Sequence, residues 1–394
     1  MVDRYPLALS SWNEEELGIL KNLSLETRMT MSEKTEAFEQ AVAQKFESSY
    51  CLMVNSGSSA NLLAVASLFF KEDNPLKAGD EVIVPALSWS TSFYPLQQYG
   101  LKVRFVDIDA KTLNIDTAAL RDAISDRTRL VLAVNILGNP CQYDEIRKVC
   151  VEHDLLLLED NCEAMGAKFK GRYTGTFGLL GTFSTYFSHH ISTIEGGMVT
   201  TDDEELFHIM LSLRSHGWTR SLPAKNRLVR KSERAFDEAF RFILPGYNLR
   251  PSEIGDMLGL SQLSRLDDFI ETRIKNAEYF CSRFENHPLV QIQEAIGESS
   301  WFGFSILLCG EAEGLRNELC DFLLERKIEN RPVVAGNFTK NEVIRYFDYD
   351  VSGTLDSTNR VDEHGFYLGN HQCPIEEEID YALESINTFL EQSL

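Results

Sequence analysis

The chain has 394 residues, 43% of them hydrophobic, which is enough to bury a large core and to fill two or three domains or one large α/β unit. Its 38 basic and 60 acidic side chains leave a formal net charge of −22, a field that repels DNA, RNA and anionic lipid and argues against nucleic acid as a partner. The N-terminal residues have neither a basic start nor an apolar core, and no apolar run approaches membrane-spanning length, so neither export nor membrane insertion is expected. The eight cysteines form no CxxC pair and no regular spacing. Buried reduced thiols, a cytoplasmic location and no metal site follow as expectations.

In chain order, Asn55-Ser56-Gly57-Ser58-Ser59-Ala60-Asn61 introduces a helix over residues 61–70 with Leu62, Val65, Ala66 and Phe69 as apolar positions. Strand-like runs at 81–85, 103–108, 130–136 and 155–159 alternate with helical stretches at 117–125 and 144–153. That alternation predicts βαβ units and a mostly parallel sheet covered on both faces. A basic, loop-like interval spans 214–234, and Leu244-Pro245-Gly246-Tyr247-Asn248-Leu249-Arg250-Pro251 reads as a turn between domains. Beyond it come a long helix near 254–286, strand-like residues at 301–308, a helix at 315–326 and a terminal helix from Ile375. The expected organisation is a large α/β domain over residues 1–250 and a small α+β domain over 251–394.

Three places carry chemistry. Small residues at a helix start leave free N–H groups that bind a phosphate, so Gly57 and Ser58 are candidates, although Ser and Gly also serve as ordinary caps. Trp89, just past a strand end, could stack on a planar ring or belong to the core. Asp160 ends the run Leu155-Leu156-Leu157-Leu158-Glu159, so its carboxylate sits at the mouth of a buried strand and needs a cationic partner, unless it merely caps the next loop. Glu163, three residues on, could face the same ligand or be loop surface.

Taken together, Ser56-Gly57-Ser58-Ser59-Ala60, Trp89, Glu159-Asp160-Asn161-Cys162-Glu163, Phe183-Ser184, Glu195-Gly196-Gly197 and Gly246-Tyr247-Asn248-Leu249-Arg250 stand in the order seen in the DegT/DnrJ/EryC1/StrS nucleotide-sugar aminotransferase family. The chain resembles that family over nearly its whole length. The resemblance implies a fold-type-I pyridoxal-phosphate transferase fold, similar to aspartate aminotransferase, with a large mostly parallel sheet domain and a small α+β C-terminal domain. It also implies pyridoxal 5′-phosphate or pyridoxamine 5′-phosphate as cofactor, with Asp160 on the pyridine nitrogen.

One position departs from the family. His189, in Ser188-His189-His190, occupies the place of the lysine that links aminotransferases covalently to the cofactor, so the cofactor is expected to bind non-covalently. Lys168 and Lys170, the nearest lysines, look like hairpin surface. A His-His pair without this setting would be surface or packed core; within it, His189 is the expected acid–base residue and His190 the fallback, because imidazole can take and return a proton near neutral pH. Together with His216-Gly217-Trp218-Thr219-Arg220, this pattern is closest to the GDP-sugar 3-dehydratase branch. That implies loss of the C3 hydroxyl from GDP-4-keto-6-deoxy-D-mannose, L-glutamate as amino donor and release of ammonia, as in the making of colitose for lipopolysaccharide O-antigen.

Further positions carry over from the resemblance alone. Ser184 and Asn248, the latter from a partner subunit, match phosphate contacts and imply a homodimer with shared active sites. His216, Arg220 and Arg250 match positions for glutamate carboxylates, a task suited to the guanidinium fork. Thr27, Arg28, Met29, Thr30 and Glu329 match nucleotide-sugar contacts. The alternatives are an ordinary nucleotide-sugar aminotransferase with an unusual base, a CDP-sugar 3-dehydrase-like enzyme, which would need a cysteine-bound iron–sulfur cluster that these cysteines do not suggest, and an inactive binding protein.

Overall fold

The computed structural model describes residues 4–24 and 27–394. Its strands are β1 Tyr50–Val54, β2 Glu81–Pro85, β3 Lys102–Val106, β4 Thr128–Val134, β5 Leu156–Asp160, β6 Lys168–Phe169, β7 Arg172–Tyr173, β8 Leu180–Ser184, β9 Gly197–Thr201, β10 Val290–Ile292, β11 Gly303–Leu308, β12 Asn330–Arg331, β13 Tyr349–Val351 and β14 Gly365–Gly369. Eight of them form one sheet in the order β1-β9-β8-β5-β4-β2-β3-β13, in which β9 alone runs antiparallel to its neighbours. The parallel strands are short and apolar because helices cover both faces: every residue of β2, Glu81-Val82-Ile83-Val84-Pro85, is buried. Parallel pairing also brings the carboxyl ends of β1, β2, β4, β5 and β8 to one edge, the place where open α/β sheets hold ligands.

A second, antiparallel sheet in the order β10-β11-β14-β12 packs against helices Leu266–Phe284, Arg316–Glu325 and Glu376–Ser393. Its core centres on Phe280, Phe284, Phe304 and Phe366. Two segments cross the expected boundary at residue 250. Tyr5 joins this small core and donates its hydroxyl to the Gly369 carbonyl at 2.6 Å, while β13 extends the large sheet by pairing with β3.

Several boundaries differ from the sequence reading. The long helix expected near 254–286 is two helices, Glu253–Ser264 and Leu266–Phe284. Between them Arg265, at φ −108° and ψ 1°, leaves helical geometry beside Ser264, whose hydroxyl bonds back to the Ser261 carbonyl. Strand β4 stops at Val134 rather than 136, because the Asn135 carboxamide turns to Tyr143 and Asn161 and the chain enters a tight turn with Leu137 at φ 52°. All eight cysteines are free thiols, with Cys51, Cys141 and Cys150 buried. Among the described residues no helix is long and apolar enough to cross a membrane.

Candidate active site

At the carboxyl edge of the large sheet lies a cavity of about 560 Å³, closed on its far side by β12 and β14 residues such as Arg331 and Tyr367. Helix Gly57–Leu68 points its N-terminus into one end. Ser56 caps this helix by accepting from the Ser59 N–H at 3.1 Å, which leaves the first N–H groups of the turn for a ligand. A Cβ at Gly57 would stand 2.7 Å from Ser184 Cβ and 3.0 Å from Cys162 Sγ, so a side chain there would close the space beside the Ser184 hydroxyl. Ser58 and Ser184 also line this end, with the Ser58 hydroxyl donating to Thr91 Oγ1 at 3.0 Å. Free amides, a helix dipole and two hydroxyls form a cradle for a phosphate group.

Asp160 stands deeper in the cavity, at the end of β5 and only 4% exposed. Its Oδ2 accepts from Asn61 Nδ2 at 2.8 Å and from the Ser92 hydroxyl at 2.7 Å, and its Oδ1 from the Cys162 N–H at 3.0 Å. Among the described residues no Lys, Arg or His pairs with it. A buried carboxylate held by neutral donors and lacking a counter-ion fits a cationic ligand atom, such as a protonated pyridine nitrogen. Trp89, 56% exposed, offers its ring on the cavity wall rather than to the core. Glu163 accepts from the Leu137 N–H at 2.9 Å, and burial, helped by the nearby Asp160, pushes its carboxyl up to about 7.

The loop between β8 and β9 carries the histidine pair. Its neck is closed by Thr185 and Thr193, whose Oγ1 atoms are 2.5 Å apart and whose backbones bond at 2.9 Å. Trp12 Nε1 donates to the Ser192 carbonyl at 3.2 Å, and Gln262 accepts from the Ser192 N–H at 3.2 Å, so the N-terminal segment and helix Glu253–Ser264 hold the same loop. Inside it, the His189 ring lines the cavity and packs on Phe302 with ring centroids 5.2 Å apart. Nδ1 of His189 is sealed from solvent without a hydrogen-bond partner. Burial, and then the charge of Arg273, lower this imidazole to about 4, which makes it a neutral ring at physiological pH.

The structure separates the two histidines. His190, the fallback, is fully buried with Nε2 against the Ser300 carbonyl at 3.1 Å and lies outside the cavity lining. Lys168 and Lys170 sit on the β6–β7 hairpin, Lys170 paired with Asp144. Sequence reasoning missed Asn61 and Ser92, the donors that hold Asp160. Asn61 falls one helical turn after Gly57 on the same face, a spacing that could have flagged it.

The remaining sequence candidates do not line this cavity within the single chain. Asn248 Oδ1 accepts from Arg250 Nε at 2.9 Å at the surface. His216, at φ 64°, lies 4.8 Å from the Trp218 ring, over which Arg220 also stands at 5.9 Å. Thr27 and Arg28 precede half-exposed Met29, and Thr30 bridges to Ser252. Glu329 is occupied by Arg4 at 2.8 Å and by the Leu7 N–H at 3.0 Å.

The chain is similar to known proteins over nearly its whole length. The chain is 50% identical over 382 residues, 96% of its length and 98% of the relative's, to GDP-4-keto-6-deoxy-D-mannose 3-dehydratase of Escherichia coli O55:H7. It is 52% identical over 377 residues, 95% of its length and 96% of the relative's, to the enzyme of the same name from Yersinia pseudotuberculosis. A solved structure of the E. coli GDP-4-keto-6-deoxy-D-mannose-3-dehydratase with bound hydrated PLP superposes with a TM-score of 0.95 at 50% identity, covering 98% of this chain and 100% of that one. The sequence profile of one family matches residues 11–387, and the chain belongs to that family, the DegT/DnrJ/EryC1/StrS aminotransferases.

Proposed function

We propose that this protein removes the C3 hydroxyl of GDP-4-keto-6-deoxy-D-mannose, using pyridoxamine 5′-phosphate that L-glutamate regenerates. The observation that carries this reading is the imidazole of His189 in the cavity wall, packed on Phe302, at the position where the resemblance places a lysine in the family's aminotransferases. The start of helix Gly57–Leu68 with Ser58 and Ser184 would hold the cofactor phosphate, Trp89 would cover the ring face, and Asp160 would accept from the ring N–H. Bound there, the cofactor supplies an amine that condenses with the 4-keto carbon and an electron sink that lets the C3–O bond break.

His189 then has two tasks. As a neutral base it takes a proton from the cofactor's C4′ carbon, and as the resulting acid it gives a proton to the departing C3 hydroxyl. An imidazole cannot anchor the cofactor as a lysine amine does, so transamination of the sugar loses its usual partner. The overall balance is keto sugar plus glutamate giving 3-deoxy keto sugar, 2-oxoglutarate and ammonia.

Asn248, His216, Arg220 and Arg250, which lie outside the cavity of their own chain, would complete the site of a second copy in a homodimer. Thr27 to Thr30 and Glu329 would serve the nucleotide sugar. Incubation with GDP-4-keto-6-deoxy-D-mannose, L-glutamate and pyridoxal phosphate tests the reaction, read by mass spectrometry and ammonia release. A 3-deoxy product with ammonia is expected; a stable 4-amino sugar without ammonia overturns the reading in favour of an aminotransferase.

A further inference from the structure

Behind the histidine loop lies a buried cation that none of these roles uses. Arg273, on helix Leu266–Phe284, is 2% exposed. Its Nη1 donates to the carbonyls of Asn370 at 2.8 Å, Phe302 at 3.2 Å and Trp301 at 3.4 Å, while its Nε has no hydrogen-bond partner. Among the described residues it forms no ion pair. A guanidinium withdrawn from water without a carboxylate is costly to keep, and carbonyl contacts alone could be made by a neutral donor.

We propose that Arg273 is a positioning residue for His189: its guanidinium pins the Trp301-Phe302 turn against which the imidazole packs. A buried cation behind that wall also opposes protonation of the ring. The inference rests on His189 acting as the base of the proposed reaction. Phe302 is the physical link, since its ring stands 5.2 Å from His189 and 6.0 Å from His190, and its carbonyl is an Arg273 acceptor. The neighbouring Ser300 carbonyl meets His190 Nε2. One cation thus fixes the wall behind both rings.

Other charges around His189 do not supply this effect. On its own loop stand Tyr186, His190 and the exposed Glu195. Across the cavity, Asp160 is taken up by Asn61, Ser92 and the Cys162 N–H, and Glu163 is held up at about 7. From the small sheet come Tyr367 and the exposed Arg331. Of the two cations, Arg273 is the buried one, so water and salt screen its field least. His371, against the Pro6 carbonyl at 2.9 Å, is likewise lowered to about 4 by burial and then by Arg273.

The test uses the full-length holoenzyme. His189 is followed by NMR of labelled histidine, assigned with His189→Asn, alongside the acid limb of kcat/KM. Arg273→Gln keeps a donor but removes the charge, and the His189 midpoint should rise by about one pH unit, with Arg273→Lys restoring the low value. Cys373→Asp leaves the arginine's own bonds untouched and places a carboxylate three residues beyond Asn370, whose carbonyl accepts from Arg273; the same upward shift is expected. A folded, cofactor-bound Arg273→Gln or Cys373→Asp with an unmoved midpoint overturns the proposal, and so does a wild-type midpoint near 6.5. Should Arg273→Gln fail to fold, Cys373→Asp and the wild-type midpoint decide. The NMR readout needs no turnover, so failure of the dehydratase reading would show separately as absent ammonia.

Discussion

Gly57 and Ser184 approach so closely at one end of the cavity that a Cβ on the glycine would lie 2.7 Å from the serine's Cβ. Real side chains do not tolerate that separation, so Gly57→Ala has to displace either the start of helix Gly57–Leu68 or the end of β8. The expected result is a loss of pyridoxal-phosphate affinity of at least ~10-fold, or about 1.4 kcal/mol. Absorbance titration of the apoprotein measures it, and unchanged affinity would mean that the phosphate binds elsewhere.

His189→Asn keeps the cavity and its polar lining but removes the group that, in the proposed reaction, takes and returns a proton. Cofactor binding should persist while turnover falls by roughly 10²–10⁴-fold. His189→Lys should give a borohydride-trappable cofactor adduct, visible as added mass, and should abolish dehydration. Normal ammonia release by the asparagine variant would remove His189 from its assigned role.

The lowered His189 imidazole also has a stability consequence in the apoprotein. Its folded value of about 4 lies below the ordinary 6.5, so between these values the unfolded chain binds more protons. The contribution to stability is complete above pH 6.5 and is lost as pH falls toward 4. His189→Asn removes this sensitivity. Chemical denaturation at pH 7 and pH 4.5 should show the variant losing less stability than wild type, by about 2 kcal/mol, and equal losses would contradict the burial argument.

Glu163 titrates in the opposite sense. Its folded carboxyl, near 7, lies above the ordinary value of 4.5, so the folded state holds the proton more tightly and stability declines as pH rises through that window. Glu163→Gln imitates the protonated acid and can still accept from the Leu137 N–H. At pH 8 the apo variant should be more stable than wild type by about 2–3 kcal/mol, with the difference vanishing near pH 4. A constant difference across that range would count against a buried, proton-holding Glu163.

Much of the fold was legible because local pattern and tertiary role agree. The β2 strand at Glu81–Pro85 is where the β-branched run predicted it, and the helices at Arg316–Glu325 and Glu376–Ser393 start within a residue of their expected positions. Legibility fails where a side chain overrides propensity. The helical pattern over 254–286 is continuous, but the Ser264 hydroxyl bonds backward and Arg265 turns toward Glu16, so the helix breaks. Likewise the apolar run through Ile136 suggests a longer β4, and only the Asn135 contacts with Tyr143 and Asn161 show why it ends.

The sequence by itself determined the kinds of group the candidate site contains: a small-residue helix start, an aromatic after a strand, an acid at a strand end, and a histidine pair at the position where the resemblance implies a lysine. Those are local features, and a resemblance in their order extends over nearly the whole chain. Only the tertiary structure decided which histidine faces the cavity, because His189 and His190 are adjacent in sequence and the turn that directs one to Phe302 and the other to the Ser300 carbonyl is set by distant contacts. It also revealed that Asp160 is held by neutral donors and that, among the described residues, Arg273 stands buried without a carboxylate. Burial and charge pairing depend on neighbours far apart in the chain, such as Asn61 for Asp160 and Phe302 for Arg273, and linear order does not record who those neighbours are.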